Sequence, residues 1–203
     1  MKLRESGMPD EAHWEAYFDV PLILDRLLVD GRLRNVVELG CGYGTFTLPV
    51  AERISGALRT FDIDASMVER TRRRVLARGL HNVLCEPCDV FADGFGVADR
   101  SQDACLLFNI LHGEEPLRLL HEAARVVRFG GHVLVIHWRF DAATPRGPSL
   151  EIRPRPEQIL DWADHTGELE AHGRVLDLPP WHYGIRLRRL ARGLVPADPR
   201  ADP

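Results

Sequence analysis

The sequence predicts an α/β domain, a mostly parallel sheet with helices on both faces. Short apolar runs rich in β-branched residues recur through the first two thirds of the chain, and helical patterns separate them. A glycine-rich turn follows the first of these runs, where a βαβ unit places its ligand.

In chain order, "EAHWEAYF" and "PLILDRLLVD" read as helices, the second with Pro21 in its first turn and a stop before Gly31. "NVVELG" is too short for a helix and has the composition of a buried parallel strand. "TFTLPVAERI" is helical, with Pro49 tolerable near its start. "ALRTFDID" is the second strand. "ASMVERTRRRVLARG" is the next helix, with Ser66 and Glu69 spaced as a capping box and Gly79 at its end. "NVLCEP" and "DACLLFNIL" are strands three and four. "EEPLRLLHEAARVVRFGG" forms a helix with Leu117, Leu120, Ala124 and Val127 on one face, and "HVLVIHW" is strand five. Residues 139–156, with four prolines and one glycine, predict a long functional loop. "PEQILDWADHTG" is a helix, and "ELEAHGRVLDL" with "HYGIRLRRL" resembles a closing antiparallel pair. The expected organisation is one domain over 1–192, with an N-terminal helical lid in 1–30 and a disordered tail at 193–203.

Composition narrows the function. At 203 residues, 45% hydrophobic and 28% charged, the chain has the make-up of a soluble globular protein. No run approaches the ~20 apolar residues of a membrane span, and the N-terminus lacks a signal-peptide apolar core, so a cytoplasmic protein without membrane attachment is expected. A net charge of -4 argues against nucleic acid as partner. Lys2 is the sole lysine, so arginine clusters reflect a compositional bias and the run Arg70 to Arg78 reads as a solvated face, with Val75 and Leu76 turned to the sheet. Cys41, Cys85, Cys88 and Cys105 read as free thiols. The CxxC spacing of Cys85 and Cys88 has no second ligand pair, so no metal is expected.

The turn "VVELGCGYGTF" places Gly40, Gly42 and Gly44 in GxGxG spacing, with Glu38 two residues before the first glycine. The dinucleotide fingerprint is GxGxxG, and an acid at Glu38 suits an ammonium better than a pyrophosphate. Asp62 ends the second strand 22 positions after Gly40, near the ~20-residue spacing at which an acid accepts ribose hydroxyls. Asp64 fits helix capping instead. Asp89 follows the third strand, where a carboxylate can accept from an exocyclic amine, or can serve as a turn or cap.

Taken in order, these features resemble the class I S-adenosylmethionine-dependent methyltransferases, over roughly Val36 to Trp138. "VVELGCGYGTF" looks like that family's first motif, "FDIDASMVERTR" like its second, and "ARVVRFGGHVLVI" like its helix–strand pattern. The resemblance implies a Rossmann-like, doubly wound seven-stranded sheet with an antiparallel last strand, and S-adenosylmethionine as cofactor. It implies that Glu38, Gly40 and Gly42 face the methionine part, with Cys41 and Gly44 in the same loop. Asp62 and Ile63 would meet the ribose, Met67, Asp89 and Val90 the adenine, and Asn109 the sulfonium side.

The acceptor site is then expected above strands four and five, from Asn109, His112, His137 and Trp138. His112 is the candidate general base, because imidazole titrates near working pH, with a capping role as its alternative. His137 points either into the site or into the core. Trp14, Tyr17 and Phe18 on the N-terminal helix, Arg146 on the long loop, and Tyr183 are candidate substrate contacts. Loop arginines, Arg153 among them, read mainly as solvated charges. "NILH" after strand four does not resemble the "NPPY" of enzymes that methylate exocyclic amines. The expected activity is methyl transfer to a small molecule by a monomer or homodimer. A cofactor-binding regulator without methyl transfer is the alternative, and a nicotinamide oxidoreductase fits the loop less well.

Overall fold

A computed structural model of the chain describes residues 10–191. The proposed tail 193–203 and the first nine residues of the proposed lid lie outside the described residues. The element order is α1 (Glu11–Glu15), α2 (Val20–Leu27), β1 (Asn35–Leu39), α3 (Thr47–Arg53), β2 (Ala57–Asp62), α4 (Ala65–Ala77), β3 (Val83–Pro87) and α5 (Val90–Asp93). It continues with β4 (Gln102–Phe108), α6 (Pro116–Val126), β5 (Val127–Trp138), a 3-10 turn at Leu150–Ile152, α7 (Pro156–His165), β6 (Leu169–Ala171), β7 (Leu176–Leu178) and β8 (His182–Arg189).

The strands form one sheet in the order β3-β2-β1-β4-β5-β8-β6, with β7 also on β8. The first five are parallel and β8 runs antiparallel beside β5. Both β6 and β7 pair with β8, so the outer edge is one strand position in two pieces and the eight strands fill seven places.

Both faces of the sheet are buried, which explains the uninterrupted apolar runs. Neighbouring residues go to opposite sides: Val36, Leu106 and Leu134 pack with Ile23, Leu24 and Val50, while Val37, Leu107 and Val135 pack with Leu119, Leu120, Ile159 and Ala163. The period-two pleat thus splits each strand between two cores.

Three helix ends differ from expectation. The α2 helix closes at Leu28, not before Gly31. Leu28 takes φ +62°, Val29 N–H donates to the Leu24 carbonyl at 2.9 Å, and Leu27 and Val29 are buried beside the turn. That is a Schellman closure in which buried neighbours offset the strain of a non-glycine residue. The α4 cap is Asp64, which accepts from the backbone N–H of Ser66 at 2.8 Å, while Glu69 pairs with Arg72 and Arg73. The α6 helix stops at Val126, so "VRFGG" begins β5 and does not cap the helix, and the glycines sit where the β4–β5 register shifts.

Candidate functional site

The glycine loop is bare because Gly40, Gly42 and Gly44 all take positive φ and the space at Gly44 is closed. A Cβ on Gly44 would lie 2.6 Å from Leu48 Cδ1 and 3.2 Å from Thr71 Cγ2, at φ +80°; on Gly40 it would meet Ile110 at 3.3 Å. The loop is also tied down from several sides. Gly40 N–H donates to the Phe61 carbonyl (2.7 Å), Thr71 Oγ1 to the Gly42 carbonyl (2.8 Å), and Arg74 to the Tyr43 carbonyl (2.6 Å).

Two acids stand beneath and beside it. Glu38 is 2% exposed and its Oε2 accepts from Thr47 Oγ1 (2.6 Å) and Thr60 Oγ1 (2.7 Å). Burial pushes its carboxyl up to about 7, against the lowering by those two hydroxyls. Asp62 accepts from the Gly42 N–H (2.9 Å) and the Asp64 N–H (3.0 Å), and burial raises its pKa as well. Among the described residues neither acid forms an ion pair. Burial also raises the Cys41 thiol far above its ordinary value, and Cys41 sits in the loop as a small buried residue. All four cysteines are free, and no metal-binding group of His, Cys, Asp or Glu occurs among the described residues.

Partly open positions run across the strand ends from this loop: Gly40 and Ile63 are exposed, and Asp62, Met67, Asp89, Asn109 and Ile110 are half-buried, with Val90 buried among them. Asp89 caps α5, accepting from the N–H groups of Phe91 (3.1 Å) and Ala92 (3.3 Å). Asn109 adopts φ +59°, a left-handed conformation that asparagine tolerates better than other side chains. Its Nδ2 lies 3.4 Å from His182 Nε2. Thr45 Oγ1, Asn109 Oδ1 and His182 Nδ1 are buried and have no hydrogen-bond partner among the described residues. Such atoms cost about 1–3 kcal/mol each unless something meets them.

His112, just after β4, meets His137 inside β5 on the sheet face that carries Tyr183. His112 Nδ1 lies 3.3 Å from His137 Nε2, and His137 Nδ1 lies 3.4 Å from the Trp138 carbonyl. If His137 donates to that carbonyl, its Nε2 accepts from His112 Nδ1–H, and His112 Nε2 carries the free lone pair. His137 is wholly buried, and burial beside His112 pushes its pKa down to about 3; burial lowers His112 as well. Both rings are therefore neutral at pH 7.

The remaining candidates separate by face. Trp138 (1% exposed) is an aromatic hub that touches Trp14, Tyr17, Phe18 and His182. His182 stacks on Phe18 with centroids 4.6 Å apart. Tyr183 points to the other face and donates its hydroxyl proton to the Pro154 carbonyl at 2.6 Å, inside the core. Arg146 is exposed on the long loop.

Arg70, Arg72, Arg73 and Arg78 are exposed as expected of a solvated face, but Arg153 is not a solvated charge and Arg74 is half-buried. Arg153 is 7% exposed and donates to the carbonyls of Pro148 (2.8 Å), Arg139 (2.7 Å), Arg146 (3.3 Å) and Ala142 (3.5 Å), so one guanidinium shapes the 139–149 loop. Arg70 and Arg74 reach Glu11 (2.6 and 2.7 Å), Arg74 also reaches Glu15 (2.9 Å), and Arg70 covers the Tyr43 ring at 4.7 Å. These pairs fasten α1 over the glycine loop. Leu76, expected toward the sheet, is 68% exposed, while Val75 is buried. Arg70 and Arg74, beside the glycine loop, are the contacts that the sequence reading did not anticipate, because the arginine-rich composition hid them.

Residues 36–131 match the family model for a methyltransferase domain. The chain is 33% identical over 162 residues to an uncharacterised 37.1 kDa transposon protein of Streptomyces fradiae, covering 73% of this chain and 45% of that one. It is 28% identical over 113 residues to the aklanonic acid methyltransferase of Streptomyces sp. strain C5, covering 54% and 50%. The chain spans about half the length of these curated relatives. The crystal structure of a SAM-dependent methyltransferase from Aquifex aeolicus superposes with a TM-score of 0.77 at 21% identity, covering 89% of this chain and 94% of that one. Among the described residues no helix is long and apolar enough to cross a membrane. With this glycine loop and this match, residues 36–131 form a methyltransferase domain, and the fold is that of S-adenosylmethionine-dependent methyltransferases.

Proposed function

We propose that the chain moves a methyl group from S-adenosylmethionine to a small-molecule acceptor. The observation that carries this reading is the pair of acids, buried Glu38 and half-buried Asp62, which stand on adjacent strands beside a bare glycine loop with no basic side chain among the described residues paired to either. A ligand bearing an ammonium and a sulfonium would relieve both, whereas a pyrophosphate would add like charge. The unpartnered Thr45 Oγ1 and Asn109 Oδ1 fit the same ligand. Glu38 and the loop would hold its amino-acid end, Asp62 its ribose, and Ile63, Met67, Asp89 and Val90 its adenine. When bound, the cofactor supplies a methyl group on sulfonium that is open to in-line displacement.

The chain's own contribution is positioning and proton removal. Asn109 and His112 both follow β4: Asn109 reaches the aromatic hub through His182, and His112 meets His137 on the Tyr183 side of the sheet. His112, neutral and held through Nδ1 by His137, can take a proton from the acceptor at Nε2. Trp14 and Tyr17, half-buried on the lid segment, and the loop braced by Arg153 close the acceptor side. The name of the aklanonic acid methyltransferase supports a small organic acceptor, as does the net charge of -4 against nucleic acid.

The test is transfer of labelled methyl from S-adenosylmethionine by the full chain into fractionated small metabolites, nucleic acid and protein. Label in the small-molecule fraction is expected, and label confined to either polymer contradicts the acceptor class. Binding of S-adenosylmethionine with no transfer to any fraction contradicts methyl transfer. His112→Ala should then lower turnover while leaving cofactor affinity unchanged.

A further inference from the structure

A second polar cluster lies on the antiparallel half of the sheet, at the end of β5 opposite the glycine loop. Three strands place same-face residues in two adjoining rows. His132 on β5 pairs with Arg188 on β8, and Arg188 with Glu170 on β6. One row further, Leu134 pairs with Arg186, whose carbonyl accepts from the His172 N–H at 2.8 Å. The His132 and His172 rings come together with centroids 5.1 Å apart.

The charges in this patch do not balance. Arg188 is taken by Glu170, with Nε at 2.7 Å, and Arg128 by Asp103 at 2.6 Å. Arg186 forms no ion pair among the described residues, and its Nε is buried without a hydrogen-bond partner. Its guanidinium lies against Gly173, where a Cβ would sit 3.1 Å from Nη2, so the absence of a side chain there leaves the fork its room. A buried Nε–H with no acceptor is costly, and Arg186 is the one arginine of this cluster without a carboxylate partner among the described residues, so an anion would meet it. Burial first, and the neighbouring arginines after it, push His132 down to about 4.

We propose that Arg186, His172 and His132 form a binding site for a phosphate-class oxyanion, separate from the methyl-transfer site. The guanidinium fork suits two oxygens of a tetrahedral anion, and the two imidazoles can donate to the others once protonated. A carboxylate offers two oxygens and leaves part of this donor set unmet. The anion is either free phosphate or the terminal group of a phosphorylated metabolite, and the two share this chemistry.

The experiment is an NMR titration of the full chain with inorganic phosphate, and separately with phenyl phosphate, at ionic strength held constant with sodium chloride. The imidazole resonances of His132 and His172 should shift saturably, with a roughly millimolar or tighter midpoint, and both rings should become easier to protonate. A tighter midpoint for phenyl phosphate assigns the site to a phosphorylated metabolite, and an equal one to phosphate itself. Arg186→Gln and, independently, His172→Gln should weaken the midpoint about tenfold or more, with the thermal midpoint in the absence of phosphate and the affinity for S-adenosylhomocysteine unchanged. The proposal is overturned by an unsaturable shift, by an equal response to chloride, or by an unaltered midpoint in both variants.

Discussion

The proposed donor side and the proposed acceptor side of this site are built in different ways. The donor side is mostly backbone and strand ends: one glycine loop, Asp62 and Asp89, presented by β1, β2 and β3, which lie side by side in the sheet. The proposed acceptor side draws on residues 14–18, 109–112, 137–155 and 182, which come from separated stretches of the chain. It is assembled by aromatic packing around Trp138, the His112–His137 contact and the four carbonyls held by Arg153. A rigid donor side can be specified locally, whereas an acceptor side made of long-range contacts can change its shape without disturbing the sheet.

If that contrast is right, damage to the loop should be global and damage to the acceptor side local. Gly44→Val combines a forbidden φ with a Cβ already within 2.6 Å of Leu48. It should cost roughly 2–4 kcal/mol of stability, read by chemical denaturation, and remove cofactor binding. Glu38 gives the next largest effect, through pH. Its folded pKa of about 7 lies above the ordinary 4.5, so the folded state keeps a proton that the unfolded chain has released. Stability should fall as pH rises from about 4.5 to about 7, by about 3 kcal/mol in all. Glu38→Gln should remove this slope relative to the wild type, as should saturating S-adenosylmethionine. An unchanged slope in the variant would show that Glu38 is not the titrating group.

Arg153→Met breaks the brace of the 139–149 loop. About 2 kcal/mol of local stability should be lost, seen as faster hydrogen exchange in that loop and lower turnover, with cofactor affinity intact. A matching loss of cofactor affinity would erase the distinction between the two sides. Asp62→Ala should do the reverse and weaken S-adenosylmethionine at least about tenfold, near 1.4 kcal/mol, with the acceptor loop unaffected. The smallest effect belongs to the latch. Glu11→Gln with Glu15→Gln should loosen α1 by up to about 1 kcal/mol, measured as hydrogen exchange over residues 11–18, and high salt should abolish the difference from wild type.

The same contrast explains what could be read from sequence. "VVELGCGYGTF", "FDID" and "CDV" each combine a strand with the turn chemistry at its end, so their order and spacing show both the parallel sheet and its ligand edge. Element ends were less legible. Leu28 closes α2 because Leu27 and Val29 are buried by distant residues, and "FGG" is a strand irregularity because of its register with β4. The arginines were the least legible. Composition made Arg153 and Arg74 look solvated, yet their partners are carbonyls and carboxylates brought close by the fold. His182 meets Asn109 across 73 positions, a contact that no local pattern announces.

The central claim is that two unpaired acids beside a bare glycine loop select a cationic nucleoside cofactor. It is tested most directly by calorimetric titration of the full chain with S-adenosylmethionine, S-adenosylhomocysteine and NAD under identical conditions. Saturable binding of the first two and none of NAD is the predicted result. Binding of NAD alone, or S-adenosylmethionine affinity unchanged in Asp62→Ala, would contradict it.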